Sequence, residues 1–131
     1  MTLKFEKKVK NIKPVVFEIR QTNFPTFHFF QTIETNDPSQ QSMLAAHYRV
    51  DGHANINPVH EVVVGSDKTY LVFPTSTTDL HSYVRTRRRL KEPQARHLFA
   101  QIVSAVHEAH LKGIVLRDLK LRKFVFTSES R

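Results

Sequence analysis

The chain has 131 residues, a formal net charge of +8 and no cysteine, which is enough length for one domain with a real core and no means of disulfide stapling. No apolar run approaches a membrane span, and the opening MTLKFEKKVKNIK alternates charge with single apolar residues, so it lacks the apolar core of a signal peptide. The positive charge gathers at 4–13 and 85–91, favouring an anionic partner, but neither run interleaves aromatics as a single-strand-binding surface does, which argues against nucleic acid.

Residues 1–14 read as a basic amino-terminal tail. Two β-like stretches follow at 15–20 and 26–33, rich in Phe and β-branched residues, with a turn around Asn23 and Pro25. Asp37 has the marks of a helix N-cap, with Pro38 at the first helical position and Gln40 at capping-box spacing. A short helix is predicted from Pro38 to about Tyr48, burying Met43, Leu44 and His47. Residues 52–58 read as loop. The stretches 61–64 and 69–73 form a predicted hairpin, joined through Gly65, Ser66, Asp67 and Lys68.

Beyond Pro74 the apolar period lengthens from two to about 3.6. Leu80, Tyr83 and Val84 mark a short helix capped by Thr78 or Asp79. A longer helix is predicted from Glu92 to Lys112, with Pro93 in its first turn, where the missing amide costs little, and Gly113 just past its end, where a left-handed residue is wanted. Ala95, Leu98, Phe99, Ile102, Val103 and Val106 recur at spacings of three and four and give this helix a continuous apolar face. Two short strands, 114–116 and 124–126, are predicted to bracket the segment LRDLKLRK. No internal repeat or composition shift marks a second domain.

The segments EVVVGSDKTYLVF (61–73), DLHSYVRTRRRL (79–90), LFAQIVSAVHEAH (98–110) and LRDLKLRKFVF (116–126) resemble the protein kinase superfamily from about Tyr48 onward. More narrowly, they resemble the Tribbles pseudokinases. The resemblance implies an α+β, protein-kinase-like fold over 15–131. It would comprise part of the small-lobe β-sheet with one helix, then the first helices and the catalytic loop of the large lobe. In the kinase pattern H-R-D-L-x-x-x-N the Asp accepts the substrate hydroxyl proton and the Asn holds magnesium.

By this likeness Asp118 matches the base, Lys120 the lysine that contacts the transferred phosphate, and Leu116 the His that opens the motif. Lys123 stands at the metal-binding Asn. An ammonium has donors and no acceptor, so it cannot ligate a cation that demands oxygen. Asp118 is accordingly read as hydrogen-bonding its own loop rather than as a working base. Lys120 is either a phosphate contact or a solvated charge, and Lys123 either fills the metal position with its own charge or faces solvent.

Other parts of kinase machinery are missing. No lysine lies between Lys13 and Lys68, no glutamate between Glu34 and Glu61, and the only glycines are Gly52, Gly65 and Gly113, so neither a phosphate-binding Lys–Glu pair nor a Gly-rich loop is available. No Asp-Phe-Gly follows the loop within the chain. We therefore expect no resident cofactor or metal, and any ATP binding to be weak and independent of magnesium.

The resemblance implies a catalytically impaired scaffold or adaptor in signal transduction. It would bind signalling kinases, with regulation of MAPK cascades, or substrate proteins such as transcription factors and cell-cycle proteins. It would regulate their ubiquitin-dependent degradation by helping recruit a ubiquitin ligase. The alternative is a fragment of an ATP-dependent Ser/Thr kinase; a third reading is a basic nucleic-acid-binding domain. Arg85, Arg87, Arg88 and Arg89 form a candidate partner-binding run or nuclear-import signal, against the plainer reading of a solvated connection between helices. His97, His107 and His110 have no carboxylate or cysteine arranged to complete a metal site and read as surface or partly buried histidines. We expect an intracellular protein, in nucleus, cytoplasm or both, with no membrane partner.

Overall fold

The computed structural model describes residues 2–5, 28–74 and 78–127. The expected strand at 15–20 and turn around Asn23 and Pro25 lie outside them. The elements are β1 (Thr2–Phe5), β2 (His28–Glu34), α1 (Pro38–Arg49), β3 (Glu61–Val64), β4 (Lys68–Pro74), β5 (Thr78–Asp79), α2 (Leu80–Arg87), α3 (Glu92–Leu111), a 3-10 turn (Leu121–Lys123) and β6 (Phe124–Thr127). They form two compact units, one holding β2, α1, β3 and β4, the other holding β1, the segment Gly52–Asn57 and everything from β5 onward.

In the first unit the sheet order is β2-β4-β3, with both pairs antiparallel. Leu71, Val72 and Phe73 of the central strand are all buried, as a strand flanked on both edges and covered on both faces requires. Ile33, Met43, Leu71 and Phe73 make the core, with Leu44, Val59 and Val62 packed against it. The β3–β4 turn closes through the Gly65 N–H donating to the Lys68 carbonyl at 2.8 Å. A Cβ on Gly65 would sit 2.8 Å from that same oxygen, so the turn excludes a side chain there.

Helix α1 starts as the sequence predicts: the Asp37 carboxylate accepts from the Ser39 N–H at 2.9 Å, satisfying an amide the helix leaves unpaired. The expected capping box is altered. The Gln40 side-chain oxygen accepts from the Glu34 N–H and its amide donates to Asp37, while the Asp37 N–H donates to the Glu34 carbonyl. Gln40 thus ties the end of β2 to the cap. Met43 and His47 are buried and Leu44 half-buried.

In the second unit the sheet order is β1-β6-β5, again antiparallel. Four residues of the expected tail are therefore strand β1, which also lies against α3; residues 6–14 lie outside the described residues. Phe124, Val125 and Phe126 of the central strand are buried, and Tyr83 of α2 packs on Phe126 with ring centroids 4.7 Å apart. Asp79 caps α2 by accepting from the Ser82 N–H at 2.7 Å. The helix stops in a tight γ-turn: Arg88 has φ 61 and ψ −42, and the Arg89 N–H donates to the Arg87 carbonyl at 2.7 Å. Arg88 is the one non-glycine residue with positive φ among those described, in a conformation that strains an L-residue.

Helix α3 ends in a Schellman motif. The Ile114 N–H donates to the Ala109 carbonyl and the Gly113 N–H to that of His110, at 2.8 and 2.9 Å, with Gly113 at φ 70. The expected strand at 114–116 is not formed. Its natural partner β6 is already paired on both edges, by β1 and β5, so 114–116 has no ladder to join and Val115 is 74% exposed. The apolar face of α3 is only partly covered: Leu98, Ala105 and Ala109 are buried, but Phe99 is 64% and Val103 48% exposed. No helix among the described residues is long and apolar enough to cross a membrane.

Candidate functional site

The segment that carries the expected chemistry is a loop clamped at both ends. The Schellman motif holds its start. Its end is the 3-10 turn, in which the Lys123 N–H donates to the Lys120 carbonyl at 2.9 Å, and the buried Phe124 and Val125 follow at once. Between these clamps Arg117, Leu119 and Lys120 are exposed, while Leu116 and Asp118 are half-buried.

Asp118 Oδ2 is 3.4 Å from Lys120 Nζ and 3.4 Å from Lys123 Nζ. Two ammoniums share one carboxylate oxygen. They differ in setting, since the Lys120 side chain is 71% exposed and that of Lys123 only 18%. An exposed pair is largely screened by water, whereas the covered one is held in place. Loop packing pushes the Asp118 carboxyl up, but the hydrogen bond and charge of Lys120, followed by the charge and hydrogen bond of Lys123, outweigh it and hold the pKa below the ordinary aspartate value.

At neutral pH this is an ionised carboxylate neutralised from two sides by the protein itself. A divalent cation approaching Oδ2 meets two positive charges within ion-pair distance of the oxygen it would need. Among the described residues no group of three or more His, Cys, Asp or Glu could hold a metal ion. His97 is engaged by Gln101 at 3.0 Å, and His107 and His110 are exposed on α3.

Strand β2 contains no lysine and α1 no glutamate, so the pair that would hold nucleotide phosphates in an active kinase has no source in these two elements.

The arginine run does not join the Asp118 cluster. Arg85, Arg87, Arg88 and Arg89 are exposed where α2 turns toward α3. They are not one uniform solvated run, because the Arg87 guanidinium lies 3.7 Å from the centroid of the Tyr83 ring and Arg88 holds the γ-turn. Beside them α2 and α3 form an apolar groove lined by Leu80, Val84, Leu90, Phe99 and Ile102. The predicted loop 52–58 carries His53 and Asn55, which the fold joins by hydrogen bonds to each other and to Ser104 and Gln101 of α3. Polar residues 46 positions apart carry no shared local pattern that could have revealed them.

Comparison with known proteins accords with this geometry. The protein kinase domain family matches residues 31–131, so the likeness begins earlier than the point near Tyr48 where it is legible by eye. Tribbles homolog 1 of Mus musculus is 43% identical over 114 residues, covering 87% of this chain and 28% of that protein. Tribbles homolog 2 of Canis lupus familiaris is 48% identical over 91 residues, covering 70% and 26%. Tribbles homolog 3 of Rattus norvegicus is 45% identical over 91 residues, with the same shares. The chain spans about a quarter of the length of these curated relatives. With an α+β fold, an Arg-Asp-Leu-Lys loop between a long helix and a short strand, and a family match over most of its length, the chain belongs to the protein kinase family, and the relatives it resembles there are Tribbles proteins.

Proposed function

We propose that this chain is the kinase-like part of a catalytically impaired adaptor, which binds signalling kinases or substrate proteins and regulates their ubiquitin-dependent degradation without transferring phosphate itself. The observation that carries the impairment is Lys123, whose largely covered ammonium is 3.4 Å from Asp118 where the kinase pattern has its magnesium-binding Asn. Phosphoryl transfer relies on positioning and on charge neutralisation by metal and lysine. Here the loop spends its neutralising charge on its own aspartate. The adaptor role rests on the likeness to Tribbles proteins, and the exposed arginines suit acidic partners in the nucleus or cytoplasm.

The test is a nucleotide titration followed by tracer phosphate transfer, with magnesium and with chelator, on the wild type and on Lys123→Asn. Binding should be weak and no stronger with magnesium. Lys123→Asn alone should gain no transfer, because it restores one ligand while the phosphate-binding lysine and glycine loop stay missing. Tight magnesium-dependent ATP binding, or transfer abolished by Asp118→Ala, would promote the Ser/Thr kinase reading instead. For the adaptor role, the readout is the half-life of a captured client in cells with and without the full-length protein; an unchanged half-life counts against it.

A further inference from the structure

Strand β6 is bordered by two strands that are held in different ways. On one side β5 runs directly into α2, and its Asp79 also caps that helix by accepting from the Ser82 N–H, so β5 cannot leave the sheet without uncapping α2. On the other side β1 is four residues long, lies at the outer edge of the sheet and comes from the opposite end of the sequence. After Lys8 the chain leaves this compact unit and re-enters it only at Gly52. Of the two borders, β1 is the removable one.

The pairing of β1 with β6 is antiparallel, and its register sets Leu3 opposite Phe126 and Phe5 opposite Phe124, with Thr2 and Lys4 opposite Thr127 and Val125. The two apolar residues of β1 thus stand at alternate positions, opposite Phe126 and Phe124, which are 1% and 3% exposed. A main-chain ladder recognises any extended segment, and residues at alternate positions select among them. If β1 departs, β6 is left with unpaired N–H and C=O groups along one edge, which strongly favours refilling it.

We propose that the β6 edge is a strand-addition site for an extended segment of a client protein, antiparallel to β6 and with large apolar residues at alternate positions, and that residues 2–5 occupy it in cis as a replaceable stand-in. The inference rests on the adaptor reading for the nature of the partner and gives that reading a surface. A second copy of this chain is the poorer occupant: its own β1 would make the same contacts without the tether, which gives the cis strand a local concentration on the order of millimolar. The segment that displaces β1 has to bind better than the same four residues do.

The test is fluorescence anisotropy with a labelled peptide of residues 1–8 titrated into the full chain. The wild type should bind it weakly, because the tethered copy competes. Leu3→Pro with Phe5→Pro, which removes two backbone donors from β1, should bind it about tenfold or more tighter, and the peptide carrying the same two prolines should not bind. Lys4→Cys with Val125→Cys places two cysteines opposite one another in a chain with no other. Oxidation should close the edge and abolish the residual binding, and reduction should restore it. Binding that ignores the disulfide or the peptide prolines would overturn the proposal by placing the peptide on the exposed apolar face of α3, as would a proline variant no tighter than wild type. Disulfide-linked dimers on oxidation would make a second copy the occupant and overturn it too. A client captured equally by the oxidised variant would sink this site and leave the adaptor reading standing, whereas disulfide-sensitive peptide binding with an unchanged client half-life would support the site and count against the adaptor reading.

Discussion

Asp118 and Lys123 show how one residue type at one position redirects a site. A carboxylate paired with two ammoniums gains from being ionised, and its pKa is held below the ordinary value by Lys120 first and then Lys123, against the upward push of loop packing. The sign follows from linkage. With the folded value depressed, the unfolded chain binds the proton first, so the contribution is complete above the unfolded aspartate value and is lost as pH falls through the folded one. Asp37 is lowered in the same direction by Ser39 and Gln40 and contributes an acid slope of its own. We predict that Asp118→Asn flattens the fall in Tm on going below about pH 4, the ordinary aspartate range, without abolishing it, because Asp37 remains. Parallel Tm–pH curves for wild type and variant would contradict this.

At the scale of elements, the two ends where backbone conformation is most demanding give opposite expectations. Gly113 closes α3 at φ 70 with open space around it, so Gly113→Ala meets no clash and loses only backbone freedom in the left-handed region. The expected cost is about 1 kcal/mol. Arg88 sits at φ 61 in the γ-turn after α2, where glycine is the better residue. Arg88→Gly should be neutral or stabilising by up to about 1 kcal/mol. Asp79→Ala, which removes the cap on Ser82, should destabilise by about 1 kcal/mol. Denaturant melts of the three variants check all three signs. A destabilised Arg88→Gly would show that the arginine side chain contributes more than its strained backbone costs.

At the scale of the whole molecule, the outstanding feature is uncovered apolar surface. Phe99, Val103, Leu111 and Val115 are between 48% and 74% exposed, in a chain spanning about a quarter of its relatives' length. Each side chain of this size forgoes roughly 1.5 to 3 kcal/mol when left in water, against a typical net stability of about 5 to 15 kcal/mol. In a kinase fold the long helix packs against further large-lobe helices. We predict that these 131 residues bind a hydrophobic dye and self-associate on their own. Phe99→Ser with Val103→Ser should lower dye binding with little loss in Tm, because the side chains removed are exposed. A sharp, reversible melt of a dye-free monomer would refute this.

The sequence by itself determined the features set by neighbours within a few residues. Asp37 announced its helix, and Thr78 or Asp79 the next one, because a side-chain oxygen at the cap answers free amides in the next turn. Pro93 and Gly113 bounded α3 because one lacks an amide and the other tolerates positive φ. Gly65 marked its hairpin because the turn brings a carbonyl onto its α-carbon. The Arg-Asp-Leu-Lys segment identified the family for the same local reason. Tertiary structure decided what depends on distant partners. Residues 2–5 read as tail and became a strand because β6 offered an edge; 114–116 read as strand and stayed irregular because β1 and β5 had taken both edges. Whether Lys123 faced solvent or filled the metal position with its own charge was open in the sequence, since a flexible four-carbon side chain can reach either. In the fold the Lys123 side chain is 18% exposed and its ammonium lies 3.4 Å from the Asp118 carboxylate, at the end of the 3-10 turn.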